Sequence, residues 1–558
     1  MAISFLYSQK APPTSQQLTT IRQQLNYTTM KKYLLFLGLL VGGTGALSSC
    51  ESFLDVNDNP NNPSEATPNF LLPNIIANGI QTQMFTSLRT PYIEQYIVSR
   101  TVNSGGNDQY RFTNAQSTNT FNYSYFQSGG NIPPMIKAAQ AEGSVYYVGA
   151  GKIMQALILA HLTDMMGDVP YSEAYQGGAN YKPKYDSQEQ LYASINQLLD
   201  EGIVEMSKPA SENTRPLYST SPSESGDILY KGDPAKWVRL AYSLKARQLN
   251  HLTKKASYDP NAVLALVDKG FKATTDDAQL QFQAAVAPLV NSTNIFGTTR
   301  SNFGTATFSN NFLDYLDGTT FPGVTDPRFG IMAPTTSTGA APGAGTPAGT
   351  NLTPGSTLTD FYASWYARDL GYFEVITYHE LKFIEAEAAF KAGNKARALT
   401  AYKEGIRAHM AKIGVGGTFA APAVTFPVIT PAQITAYLNS AAVAQTAEQL
   451  ASPTNPAVPR AIMEQKYIAM FLNPESWTDM RRYDFSSAVY VNFQYPTGNS
   501  VNADLSGNAD PKLRFPRRLL PGATETLYNP EEVARQFAEA GATTNDDYIG
   551  KPLWFDRP

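Results

Sequence analysis

Two aromatic clusters, each set beside hydrogen-bonding side chains, are the residues of this sequence best suited to hold a ligand. One runs through Asn107, Tyr110, Arg111, Phe121, Tyr123 and Tyr125; the other is Phe361, Tyr362, Trp365 and Tyr366. An aromatic plane accepts the C–H face of a sugar ring, while amide, phenol or guanidinium groups meet the ring hydroxyls. Trp365 with Asn107, Tyr110 or Arg111 would supply both halves of such a site, and Tyr362 and Tyr366 flank it in sequence. The four residues from Phe361 to Tyr366 match no clean helical stripe, so burying all of them is hard to arrange. The competing reading is that Trp365 plugs its loop onto the scaffold, because packing is the commoner fate of any one aromatic in a chain with 32 Tyr and 28 Phe.

Charged pairs offer a different chemistry. Asp164 and Asp168 stand four apart, the spacing of paired carboxylates on one helical face. Gly167 ends the helix between them, however, and leaves Asp168 placed to accept from turn amides, so the pair reads as structure. Asp479, Arg481 and Arg482 suit ion pairs that fix a loop. Trp237 and Trp477 lie on apolar helical stripes and read as core. A search for catalytic motifs finds no His-Glu-x-x-His, no Gly-x-Ser-x-Gly and no Gly-x-x-x-x-Gly-Lys. The glycines from Gly339 to Gly349 have no strand before them or helix after them. Glycosidase carboxylates need not be close in sequence, but nothing here supports a pair, and the expectation is a protein without catalytic activity. No cofactor or metal is expected: Asp55 to Pro63 has Asp/Asn spacing loosely like a calcium loop but lacks its Gly and closing Glu.

Composition narrows the class further. The 558 residues are 42% hydrophobic and 16% charged, ordinary for a globular protein. A formal charge of -4 supplies no basic stripe for phosphates, so no nucleic-acid partner is expected. A single cysteine, Cys50, excludes a disulfide framework and a Cys-rich zinc site.

The position of that cysteine is informative. Lys31 and Lys32 follow Met30, an apolar run extends from Tyr33 through Val41, and small residues lead into Leu47-Ser48-Ser49-Cys50. This is a secretory signal layout, too short for a comfortable membrane span. Leu-Ser-Ser-Cys resembles the bacterial lipobox, in which the cysteine thiol is acylated and becomes the first residue; several acyl chains on one residue give stable attachment. Three segments are therefore expected: residues 1–29 as an upstream extension with Met30 the true start, 30–49 as a lipoprotein signal peptide, and 50–558 as one folded domain behind a polar, turn-rich tether.

Helical periodicity dominates the remainder, and the fold expected is mostly all-α. Apolar residues recur at three and four through Tyr146–Met166, with Gly167 and Pro170 as the stop. Leu191, Ile195, Leu198 and Leu199 mark the next helix, and Pro234 opens another carrying Trp237, Leu240, Leu244 and Leu249. Tyr378–Lys391 and Ala396–Ile413 flank Ala392-Gly393-Asn394; their small residues and Tyr402 look like a tetratricopeptide repeat. Ala461–Leu472 continues the series, giving roughly four helix pairs. No run after Cys50 is long and apolar enough to be expected to cross a membrane. Residues 101–133 and 334–358, rich in Asn, Gly, Ser, Pro and Thr, are expected as long loops, where binding sites usually sit.

Four segments in order resemble the SusD/RagB family of Bacteroidetes outer-membrane lipoproteins. They are His161-Leu162-Thr163-Asp164-Met165-Met166-Gly167-Asp168-Val169-Pro170-Tyr171-Ser172-Glu173-Ala174; Lys236-Trp237 through Arg247, with Tyr242 where the family has Asn; Glu385-Ala386-Glu387-Ala388-Ala389 with its partner helix; and Gln465-Lys466-Tyr467 through Arg482, followed by Phe515 to Pro521 and Glu525. The resemblance spans essentially the whole chain after Cys50. It implies tetratricopeptide-like helix pairs with long ligand-binding loops, lipid anchoring at the cell surface, and capture of a nutrient for a SusC-like TonB-dependent transporter. That nutrient would be a glycan or, in some members, a peptide. It also implies that the repeat face and the Trp477–Arg482 region sit against the transporter barrel, and that ligand residues come from loops in the amino-terminal third and ahead of the third helix pair. A pure protein-interaction scaffold would share these helices; aromatic-rich loops favour capture.

Overall fold

The computed structural model describes residues 66–558 apart from 101–106, 222–225, 285–291, 344–357, 421–422 and 497–500. Cys50, the signal segment, the upstream extension and most of the Gly/Pro-rich stretch therefore lie outside the described residues. The longer helices are α1 (Pro68–Thr86), α2 (Asn114–Asn122), α3 (Ile132–Glu142), α4 (Val145–Met166), α5 (Gln188–Met206), α6 (Pro234–His251), α7 (Pro260–Val267), α8 (Tyr378–Lys391), α9 (Lys395–Ile413), α10 (Pro431–Leu438), α11 (Arg460–Ala469), α12 (Glu475–Arg482) and α13 (Pro530–Glu539). Short strands accompany them: β1 (Ile97–Ser99), β2 (Val169–Pro170), β3 (Tyr185–Asp186), β4 (Ala278–Gln281), β5 (Ala306–Phe308), β6 (Thr335–Ala340), β7 (Tyr372–Ile376), β8 (Val415–Ala420) and β9 (Ala423–Val428). All but β6 form antiparallel two-stranded ribbons, β1–β5, β2–β3, β4–β7 and β8–β9.

Local sequence sets where these helices begin. Ser187 accepts from the Gln190 amide while the Gln190 side chain reaches back, a complete capping box for α5. Asp233 caps α6 with Pro234 in its first turn, and Thr377 and Asn394 cap α8 and α9. Gly167 stops α4 at φ 91°, a backbone region that disfavours any side chain. Packing then runs in series: α4 on α5, α5 on α6, α6 on α7, α7 on α8, α8 on α9, and α9 on α10 and α11. This is the expected mostly helical scaffold of paired helices. In the α8–α9 hairpin a Cβ on Gly405 would stand 3.0 Å from the Phe383 ring, so any larger residue would have to push that ring aside.

Three expectations need correction. Residues 114–133 are largely helical: α2 is followed by a π-helical turn at Tyr123–Ser128 and then by α3. The polar composition was misleading because Ser117, Thr120, Ser124 and Ser128 are small enough to bury against α1, and their hydroxyls are satisfied by main-chain carbonyls or by Thr86. Helix α4 does meet the length and hydropathy of a membrane span, but 89% of its apolar window is buried inside the fold, which makes it the central core helix. Finally, every residue of α12, Trp477 to Arg482 included, is buried within the chain, so this region offers no surface to a transporter.

That burial has a purpose legible in the contacts. The four motif segments converge on one charged interior. Arg482 holds both oxygens of Glu387 at 2.7 and 2.9 Å and also contacts Asp479, which pairs with Lys466 at 2.7 Å. Arg247 forks onto Glu380 at 2.7 and 2.6 Å, and His251 bridges Glu475 and Asp164. Arg481 forms no ion pair among the described residues; it donates instead to the carbonyls of Asp164 and Arg517 and stacks over Trp477. Asp168 accepts from the Gln188 amide at 2.8 Å, as its position after Gly167 implied, and is not the partner of Asp164. Trp237 and Trp477 are fully buried, each indole satisfied, by Asp227 and by the Pro516 carbonyl.

Candidate functional site: two cavities

The residues singled out from the sequence fall into different places. Tyr110 has no exposed surface: it sits at φ 57° with its ring against Tyr495 and Phe515 and its hydroxyl within reach of the Gln95 amide, so it is core and touches no ligand. Arg111 is exposed and lies toward Asp546. Asn107 lines one cavity, Trp365 and Tyr366 line another, and Tyr362 lines neither, although it is near enough to Tyr92 of the first to act on its phenol.

The smaller, polar cavity has a volume of about 310 Å³ and is walled by Arg89, Tyr92, Asn107, Gln116, Asn302 and Thr305 among others. The turn carrying Asn107 is pinned from two directions. Asp108 accepts from the Ser99 amide of β1 at 2.9 Å, and Asn502 donates to the Tyr110 carbonyl at 3.0 Å. Arg89 precedes a single helical turn opened by Thr90-Pro91. Burial raises the Tyr92 phenol well above its ordinary value; Asp108 and Tyr362 add to the rise and Arg89 opposes it, which places these groups around one another. Tyr362 is brought near Tyr92 because Phe361, on the same 3₁₀ turn, packs edge-on against Phe303, which in turn meets Tyr92. Among the described residues the buried Oδ1 of Asn107 and Nε of Arg89 have no hydrogen-bond partner. A buried acceptor and donor left unmet cost free energy. Both residues line the cavity, which therefore has an unmet acceptor and an unmet donor in its wall.

The larger, aromatic cavity has a volume of about 780 Å³. Trp365 lies in its wall but is only 7% exposed, edge-on to Phe419 and Phe426 of the β8–β9 ribbon, with the Arg368 guanidinium over its ring at 3.3 Å from the centroid. One indole face is thus covered by a cation. Phe361 is likewise buried, while Tyr362 and Tyr366 are half-buried. Two 3₁₀ turns separated by Ser364 restart the periodicity, which is how a cluster without a helical stripe still faces inward. Tyr366 is fixed by His409. Arg328 donates to His409 Nδ1 at 3.2 Å, so the neutral ring carries its proton on Nε2 and gives it to the Tyr366 oxygen at 3.1 Å. Burial, then His379 and Arg328, push the His409 pKa well down, in keeping with a neutral ring.

Sequence reasoning missed Arg89, Tyr92, Asn302 and Arg368. For Arg368 a signal existed, since it stands three residues after Trp365, within reach across one turn. For the others none did: an unmet donor is a property of the packed fold. No group of His, Cys, Asp and Glu suited to a metal occurs among the described residues.

Comparison with known proteins bears on family and fold. A family model, SusD-like, described as starch-binding and associating with the outer membrane, matches residues 60–503. No curated protein matches the chain. Among solved structures, a SusD/RagB family protein from Bacteroides thetaiotaomicron is 22% identical with a TM-score of 0.66, covering 88% of this chain and 99% of its own. A SusD homolog from Bacteroides fragilis is 19% identical, TM-score 0.63, covering 88% and 100%. A chitin-binding SusD homolog from Flavobacterium johnsoniae is 19% identical, TM-score 0.64, covering 88% and 98%. At these identities the likeness is one of fold.

Proposed function

Because the chain belongs to the SusD-like family, described as starch-binding and associating with the outer membrane, we propose that it captures a glycan at the cell surface and hands it to a SusC-like TonB-dependent transporter. The observation that carries the reading is the polar cavity, where Asn107 offers an unmet acceptor and Arg89 an unmet donor. Sugar hydroxyls both give and take hydrogen bonds, so one ring can satisfy both groups at once. Tyr92 supplies a phenol beside it, and Asn302 and Thr305 line the exposed rim. The chitin-binding relative of the same fold supports a saccharide as ligand. The lipid anchor is assigned to Cys50, on the Leu47-Ser48-Ser49-Cys50 pattern. The transporter would meet a surface other than α12, the exposed face of the repeat helices being the one the family resemblance suggests.

A screen of neutral oligosaccharides by calorimetry tests this, followed by Arg89→Gln and Asn107→Ala. Losing a hydrogen bond from a charged donor removes about 1.5–3 kcal/mol, roughly ten- to a hundredfold in affinity. That loss is expected with an unchanged melting temperature. A chain that binds no saccharide of the screen, or variants that bind as well as the parent, would overturn the assignment. Peptide capture, the alternative within the family, would appear as binding of peptides and no saccharide.

A further inference from the structure

The aromatic cavity is chemically unlike the polar one. Its wall carries Arg368, a guanidinium only 5% exposed, whose one protein acceptor among the described residues is the Trp365 carbonyl, reached through Nη1. No carboxylate stands within ion-pair distance of it among the described residues. Glu374, the nearest acid in electrostatic terms, is engaged by Lys412 at 2.7 Å, and Lys412 also pairs with Asp277 at 2.6 Å. Glu404 is taken by Arg407. Burial pulls the Arg368 pKa down, but only to about 10, so the group is a cation at neutral pH.

The engaged atom matters. With Nη1 spent on Trp365, the Nε and Nη2 hydrogens remain, and these two form the parallel fork that donates to both oxygens of a carboxylate side-on. The indole stacked at 3.3 Å holds the fork in plane. Its loop is held too: Asn294 donates to the carbonyls of Tyr366 and Arg368, each at 2.7 Å. A second unmet group lies in the same wall. Gln279, on β4 and in register with Glu374 of β7, has a buried Oε1 without a donor among the described residues. The cavity therefore presents a fixed cationic fork and a free neutral acceptor. Tyr372 and Leu370 form an exposed apolar rim.

We propose that this cavity is a separate binding site for a hydroxylated carboxylate, a uronic acid unit of an oligosaccharide, whose carboxylate docks side-on against Arg368 while a ring hydroxyl donates to Gln279. The volume, about 780 Å³, accommodates a short oligosaccharide, and Tyr372 gives a ring face to stack on. The site does not depend on the reading of the polar cavity, which is scored with neutral sugars and the Arg89 and Asn107 variants, so the two stand or fall separately.

The test is calorimetric titration of the full chain with a galacturonic acid trimer and with its methyl ester. The trimer is expected to bind and the ester, which has the same hydroxyls but no charge, to bind at least about tenfold more weakly. Arg368→Lys keeps the charge but loses the fork and is expected to weaken the trimer to a similar degree; its melting temperature reports whether the loop stays packed. Because the ester comparison uses the unaltered chain, it decides the matter even where that variant unfolds. Equal binding of trimer and ester, no binding of the trimer, or a preference for peptides with a free terminal carboxylate would each overturn the proposal.

Discussion

Arg482 on α12 and Glu387 on α8 form a two-pronged ion pair, at 2.7 and 2.9 Å, with both side chains wholly removed from solvent. Tyr483 also donates to Glu387, at a short separation, and Arg482 holds Asp479 in addition. Two family motifs that are 95 residues apart in the chain thus meet at a single bond.

Breaking this pair by halves should be costly. Arg482→Met leaves Glu387 and Asp479 buried with less positive charge to balance them, and about 3–5 kcal/mol of stability should be lost. Arg482→Met combined with Glu387→Leu should recover part of that loss, because removing both charges of a buried pair abolishes the desolvation cost as well. Urea denaturation of the single and double variants measures the difference; a double variant no more stable than Arg482→Met alone would show that the pair does not act as a unit.

A pH dependence follows from His251. Burial alone would lower its pKa, but Glu475 and Asp164 override that and raise it to about 9. The folded pKa lies above the unfolded value of about 6.5. The stabilisation is therefore fully present below about pH 6.5 and is lost as pH rises through about 9, with a magnitude on the order of 3 kcal/mol. His161 and His379 do the reverse: burial lowers them to about 4 and about 3, so they penalise the fold as pH drops below about 6.5. The deficit of His251→Gln relative to the parent should accordingly shrink between pH 7 and 10 in thermal melts. A deficit constant over that range would mean His251 is neutral in the folded chain.

Lipid attachment is tested at Cys50. Cys50→Ala should block acylation and release the protein from the outer-membrane fraction. Retention of the variant on membranes through a high-salt wash would disprove acylation at this residue.

The sequence made the scaffold legible wherever a long apolar stripe met a strong stop signal. The end of α4 at Gly167, the start of α6 at Pro234 and the α8–α9 turn at Gly393 all stand where local chemistry puts them. Residues 114–133 failed the same reading because their inward positions are Ser and Thr, and hydropathy cannot register hydroxyls that bury by bonding the main chain. The candidate sites were legible only in part. Asn107, Trp365 and Tyr366 do line cavities, but two different ones. What covers the Trp365 face, and which polar atoms go unmet, depend on segments far apart in the chain.

The charged interior also bears on when the fold can close. The Leu519 amide bonds the Met165 carbonyl at 2.7 Å, Phe555 reaches the Gln188 side chain at 3.0 Å, and Tyr96 donates to the carbonyl of Tyr467 at 2.6 Å. Contacts of such long loop span are formed late, because the entropy of closing the loop must be met before they return anything. The Phe555 ring closes over the same interior, lying against His251, which holds Asp164 and Glu475, and against Arg481. A chain wired in this way completes its charged interior only once its carboxyl-terminal segment is in place.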